Sequence, residues 1–364
     1  MSKWDDYKFE EVILDDTKNG TKIKKENYLE QGSHPVIDQG QHQIAGYTNT
    51  GDGLYNNIPA IIFGDHTRII KYIDTPFFLG ADGVKLLKSK KDNASYKYLY
   101  YFFLKNEVTN TGYNRHFKWL KELVIPLPPL EIQKQIAKTL DTTAELLAMR
   151  KQQLAELDNL IKSTFYDMFG DPVTNSMGWS FVKLGDAGEL KSGGTPTRSN
   201  PNYFLGDIDW YSAGELNRRY LIQSNEKLTI EAMTNSAAKV FRTGSMLIGM
   251  YDTAAFKLGI LTKDSSSNQA CANIDVDKNL ANIIWLYDCF QIMRPFFLKN
   301  RRGVRQKNLT LGMIKSFEIP LPPLLLQTQF ASIVTKIEEQ KALVNKAIDE
   351  TQYLFDSLMS EYFE

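Results

Sequence analysis

Cysteine is nearly missing from the chain: Cys271 and Cys289 are the only two in 364 residues. Two thiols so placed make neither a metal pattern nor a disulfide framework, and a reducing compartment suits them. No run of about 18 apolar residues occurs, so no transmembrane helix is expected. The opening "MSKWDDYKFEEV" lacks the charged-then-apolar layout of a secretion signal. The expected location is therefore cytoplasmic, with no membrane partner. Net charge is missing too, since 43 basic residues balance 43 acidic ones. That excludes a uniformly cationic coat while leaving room for local basic patches. The rest, 43% hydrophobic and 24% charged with 12% aromatics, is the composition of a globular protein long enough for two domains.

Signatures of catalysis are also absent. There is no GxxxxGK[ST] phosphate loop, no HExxH and no Cys/His cluster. "NPNY" (200–203) is one residue from the NPPY with which adenine-N6 methyltransferases grip a flipped base, but no glycine-rich cofactor loop precedes it. Asp171 with Glu189 and Lys191 fits a nuclease pattern only loosely. His66 in "GDHTR" and His116 in "NRHFKW" each stand apart from any acid–nucleophile pattern. The chain is expected to carry no catalysis and no cofactor of its own.

What the chain does contain is a repeat. "IPLPPLEIQKQIA" (125–137) returns as "IPLPPLLLQTQFA" (319–331), offset by 194 residues, and Leu160, Ser163 and Phe169 then meet Leu354, Ser357 and Phe363. Proline suits the first turn of a helix, where its missing N–H would be unpaired anyway. After each Pro-Pro, apolar residues step by alternating four and three: Ile136, Leu140, Leu147, Leu154, Leu157, Ile161 and Met168, then Phe330, Val334, Ile337, Val344, Ile348, Phe355, Leu358 and Tyr362. That is a heptad seam sustained over about five heptads. Arg150 and Lys341 interrupt it, which suits the seam's ends or a place where polar groups select register.

Trp4 in "WDDYKFEEV" and Trp179 in "WSFVKLGDA" open the two repeats, and the turn-rich "FGDPVTNSMG" (169–178) links them. The expected fold class is α+β. Two globular mixed α/β domains are joined by two long helices that pair as an antiparallel coiled coil, making the repeats pseudo-twofold related. Basic stretches lie in the domains: "LKNRRGVRQKN" (298–308), "KLLKSKK" (85–91) and "NGTKIKK" (19–25). Each can also be read as ordinary solvated surface.

With these features in view, the chain resembles the DNA-specificity subunits of type I restriction–modification systems. The matching stretches are "W..VKLGDAGELKSGGTP" (179–196), "GDIDWYSAGEL" (206–216), "NQA" (268–270), "GVRQKNLT" (303–310) and both "IPLPP" junctions. In the first half they are "HPVIDQG" (34–40), "GDHT" (64–67) and "RHFKWLKELVIPLPP" (115–129). The resemblance implies a first target recognition domain (1–127), a first spacer helix and linker (128–170), a second target recognition domain (171–321) and a second spacer helix (322–364). It implies recognition of a bipartite, asymmetric double-stranded DNA target and docking of two methyltransferase subunits. S-adenosylmethionine, ATP and Mg would belong to those and to the restriction/translocase subunits.

Arginine and lysine bond bidentately to guanine, and asparagine or glutamine to adenine. The candidate DNA contacts are therefore His66, Thr67, Arg68, Arg115, His116 and Lys118 in the first domain. In the second they are Thr195, Arg198, Arg218, Arg219, Arg301, Arg302, Arg305, Gln306 and Lys307. Some must touch phosphates, which position without specifying. The first domain has no "GGTP", so only the frame carries over from one domain to the other. The alternative reading is a coiled-coil scaffold whose two globular domains bind proteins.

Overall fold

A computed structural model describes residues 4–80, 83–112, 114–299 and 308–364. The chain forms two compact units, Met1–Gln152 with Lys346–Glu364, and Gln153–Asn345. The division falls inside the long helices rather than at the Pro-Pro junctions, because each domain shares its core with the helix segments beside it.

In the first unit, strands Ile13–Asp15, Val84–Ser89, Ala60–Gly64 and Ile70–Ile73 make an antiparallel sheet in that order. Successive side chains of a strand face opposite ways. Ile61 and Phe63 therefore turn to one core with Leu87, while Ala60 and Ile62 turn to another with Val84 and Leu86. The first core takes in helix Tyr96–Lys105 through Tyr98, Leu99, Phe102 and Phe103, and continues into Ile136, Leu140 and Met359 of the long helices. A second sheet joins Gly46–Thr48, His34–Ile37 and Phe78–Leu79. In the second unit, Gly188–Ser192, Cys271–Val276, Met246–Gly249, Leu258–Leu261 and Tyr220–Leu221 form a five-stranded sheet. Helix Ile283–Leu298 packs on it, and the same core holds Ile161, Phe165, Phe330 and Val334.

Both units build the junction alike. Strand Asp5–Lys8 pairs with Val124–Leu127, setting Tyr7 against Ile125. Strand Phe181–Lys183 pairs with Glu318–Pro320, setting Val182 against Ile319. Helices Leu130–Phe169 and Leu324–Phe363 follow, each of 40 residues and so about 60 Å long. Gln133 and Gln327, the first glutamines of the repeated motif, are fully buried. Gln133 Nε2 donates to the carbonyls of Pro128 (2.7 Å) and Asn93 (3.0 Å), and its Oε1 accepts from Ser95 N–H (2.8 Å). Gln327 does the same with Pro322 (2.8 Å), Leu280 (3.1 Å) and Asn282 N–H (2.8 Å). Ser95 and Asn282 each cap the domain helix, so one glutamine locks that helix to the start of the spacer. A buried polar group left without its partner costs about 1–3 kcal/mol. Gln327→Met strands three of them, and calorimetry should show the second unit melting first, with a loss on the order of 3 kcal/mol. Gln133→Met should do the same to the first unit.

The expected seam is where the helices pack. Ile136, Leu140, Ile161, Phe330, Val334, Ile337 and Val344 are buried, and Leu147, Leu154, Leu157, Met168, Ile348, Phe355, Leu358 and Tyr362 are partly buried. Direction is set within each unit. In the first, Ile136 and Leu140 share a core with Met359, while Arg150 Nη1 donates to Ala347 O and Thr351 Oγ1. In the second, Phe169 lies against Phe330, and Lys341 Nζ reaches Asp158 at 2.7 Å. Numbers rise along one helix as they fall along the other, so the pairing is antiparallel. Arg150 and Lys341 sit midway along their helices, not at the ends, and each bonds to the facing helix. That is register selection by polar groups. Near the domains the buried stripe widens to include Phe165, Phe169 and Met359, as a helix facing a broad core requires.

The helices also leave apolar residues uncovered. In the first unit Met149 and Leu354 are exposed, and in the second Leu343 and Leu160. By the offset of 194, Met149 corresponds to Leu343 and Leu160 to Leu354, so the same two positions stay open in both copies. Among the described residues no helix is long and apolar enough to cross a membrane.

Candidate nucleic-acid interface

Three segments of the first unit converge: the turn 64–68, the loop 38–45 joining His34–Ile37 to Gly46–Thr48, and the described residues of 108–112 and 114–118. The turn bonds to the loop through Gln39, whose Oε1 accepts from His66 N–H (3.1 Å) and whose carbonyl accepts from Thr67 Oγ1 (2.6 Å). It bonds to the third stretch through His66 Nδ1, 3.2 Å from Asn114 O, and Arg68 Nη1, which donates to Val108 O at 3.0 Å. Arg68 has φ 63°, in the left-handed region, where its N–H closes the turn on Gly64 O at 2.7 Å. Thr67, Arg115 and Lys118 are exposed, while His66 and Arg68 are partly so. Lys118 holds its ammonium 4.1 Å from the Trp119 ring centre.

His116 is the exception among the first unit's candidates, being fully buried. Its N–H donates to Asp65 O (2.7 Å), its Nδ1 lies 3.0 Å from the same carbonyl, and its ring packs on Trp119. It braces the 64–68 turn and presents nothing to a duplex. The converging segments also carry Gln39, Gln41, His42, Asn110 and Asn114, which residue type alone does not single out.

In the second unit the "GGTP" motif is a close-packing device. A Cβ on Gly193 would stand 2.3 Å from the carbonyls of Ser267 and Asn268, and one on Gly194 2.3 Å from Ala237. This contact brings Thr195 to Gln269, with Thr195 Oγ1 donating to Gln269 Oε1. Gln269 is exposed and is a polar group outside the candidate set. Arg198 is exposed, forms a forked pair with Glu226 (2.9 Å from Nη2 to Oε2) and lies over Phe204 at 4.2 Å. Arg218 is exposed. Its neighbour Arg219 is not available: the side chain is 10% exposed. Its two terminal nitrogens donate to the Asp288 carboxylate at 2.7 Å each, and its Nε donates to Glu338 Oε1 at 3.0 Å. Burial lowers its pKa, but the bonds to Asp288 outweigh this and raise it above the ordinary value. Lys341 extends the network, donating to Glu338 (3.0 Å) and Asp158 (2.7 Å). Arg219 thus ties the second domain to both long helices instead of reading bases. Arg301, Arg302, Arg305, Gln306 and Lys307 lie outside the described residues.

Both cysteines are buried, and burial pushes Cys271 up to about 12, so its thiol stays protonated. Among the described residues no group of three His, Cys, Asp or Glu could hold a metal ion. The two surfaces offer hydrogen-bond donors and acceptors together with cations such as Lys118 and Arg198.

The sequence profile of the type I restriction modification DNA specificity domain matches this chain twice, over residues 1–159 and 177–352. The chain is similar to the Escherichia coli type I restriction enzyme EcoR124I/EcoR124II specificity subunit, with 26% identity over 348 residues that cover 87% of this chain and 82% of that one. It is likewise similar to the putative type I restriction enzyme MjaX specificity subunit of Methanocaldococcus jannaschii, with 26% identity, covering 86% and 76%. Among solved structures, the S subunit of a type-I restriction-modification system from M. genitalium superimposes with a TM-score of 0.66 over 99% of this chain and 96% of that one, at 15% identity. At that identity the likeness is one of fold. Two profile matches that together span nearly the whole sequence are decisive: the chain belongs to the type I restriction modification DNA specificity family.

Proposed function

We propose that the chain is the non-catalytic recognition subunit of a type I restriction–modification complex in the cytoplasm. Each unit reads one half of a bipartite, asymmetric double-stranded DNA target. The long helices set the gap between the halves and dock two methyltransferase subunits. S-adenosylmethionine is held by those subunits, and ATP and Mg by the restriction/translocase subunits that join them.

One observation carries this reading. The frame is built twice with the same parts, and the reading surfaces are built differently. Gln133 and Gln327 make the same three bonds, and the same two helix positions stay apolar and open in both copies. Two copies of one partner require a surface presented twice. The reading surfaces differ because unlike half-sites need unlike side chains.

The test is selection from a randomised duplex library, using the chain assembled with its methyltransferase subunits. Two short conserved blocks should emerge, separated by a constant number of unconserved base pairs. Affinity should fall steeply with salt, by a slope of about 0.9 per phosphate contacted. A pool that stays random after repeated rounds leaves the protein-binding scaffold as the better account.

A further inference from the structure

The loop Asp38-Gln39-Gly40-Gln41-His42-Gln43 is far more constrained than a hairpin connection of its length needs. Lys71 lies beneath it with its side chain 2% exposed. The ammonium donates to Asp38 O at 2.8 Å and His42 O at 2.6 Å, with Asp38 Oδ1 at 3.8 Å. Both ends of the loop thus rest on one buried cation. Between them, Asp38 Oδ1 accepts from Gly40 N–H (2.7 Å), Gln39 is bonded to the 64–68 turn, and Gln43 Nε2 donates to Tyr72 O (2.9 Å). Gln41 and His42 remain exposed at the tip.

Burying an ammonium is expensive unless its donors are all engaged, and burial does push the Lys71 pKa down, against the pull of Asp38. A methionine would fill the same space and leave the loop untied. The expense goes into fixing backbone, and fixed backbone matters where side chains must meet a partner in one geometry. The tip presents the amide of Gln41 and the imidazole of His42. A glutamine on a backbone held this way matches the paired acceptor and donor of an adenine edge in the major groove.

We propose that Gln41, with His42 beside it, contacts base edges of the half-site read by the first domain, and that Lys71 is the positioning residue for this loop. The proposal rests on the DNA-reading role given above. Its test is the library selection repeated on the assembled complex with Gln41→Ala and with Lys71→Met. Gln41→Ala should turn at least one conserved position of the first half-site random, with the second half-site and the gap unchanged. Lys71→Met should relax the same block. A Gln41→Ala consensus identical to wild type overturns the base contact, as does a change confined to the second block. Lys71→Met with the wild-type consensus overturns the positioning role, even if the variant melts earlier. Because Gln41 is exposed, its variant folds regardless of what Lys71→Met does. A wild-type complex that selects no split consensus sinks the DNA-reading role itself, which is a separate result.

Discussion

Arg219→Met is expected to unfold the second unit at a temperature well below the first. The substitution removes a guanidinium that makes three bonds to two carboxylates. It leaves Asp288, 7% exposed, in a core among Trp285, Phe290 and the neighbouring helix with no cation bonded to it. Removing one partner of a buried ion pair costs about 3–5 kcal/mol, because the stranded charge must be desolvated for nothing or must take up a proton. Glu338 still has Lys341, so the damage centres on Asp288. Calorimetry should split into two transitions with only the upper one at the wild-type position, the lower belonging to residues 153–345. The double variant Arg219→Met with Asp288→Leu should recover much of the loss, since an apolar pair of similar size replaces a buried ion pair at little or no net cost. Coincident melting of both units in the single variant would falsify the assignment of Arg219 to the frame. Arg218→Met, one residue away and exposed, should leave both transitions in place.

The second large effect concerns the gap. Insertion of seven residues after Leu154, with seven more after Asn345, falls at or just beside the places where one compact unit gives way to the other, after Gln152 and Asn345. All the side-chain contacts described in either unit are therefore kept. Each helix lengthens by about 10.5 Å, close to three base pairs at 3.4 Å each. Seven residues turn a helix about 20° short of two full turns, while the duplex turns about 100° over three base pairs at 10–10.5 per turn. On the proposed reading, the variant should lose at least about 100-fold in affinity for the wild-type target, the equivalent of losing two or more base-pair contacts. Library selection should then return the same two blocks with a gap about three base pairs longer and a weaker best affinity, from the mismatched turn. An unchanged gap would show that the helices do not measure it.

The sequence made some of this legible and hid the rest for physical reasons. A heptad seam is a local signal repeated many times, so the residues from Ile136 to Leu358 could be named as packed before any coordinates. Gln133 and Gln327 were visible as a repeat, but their role depends on Asn93, Ser95, Leu280 and Asn282, which come from other elements. Arg218 and Arg219 are adjacent and identical, and only the strand at Tyr220–Leu221 decides which one turns inward to Asp288. His66 and His116 divide likewise between a surface turn and the brace beneath it. The sheets pair segments far apart in sequence, such as Gly188–Ser192 with Cys271–Val276, and no window of sequence contains both. Which loop is held in place is equally non-local: the bonds that fix residues 38–43 come from Lys71 and the 64–68 turn, which no local pattern marks.

The first unit includes residues 346–364, and Met359 lies in the same core as Phe9, Phe63 and Leu140. On a ribosome those last side chains emerge only after all of residues 153–345 have been made. At about 5–20 residues per second, the earlier half of the protein waits on the order of ten seconds or more with that core open, while the later half can close as soon as it appears. The order of maturation is thus the reverse of the order of synthesis. A translation product that stops before residue 346 would leave the first unit without Met359 in its core.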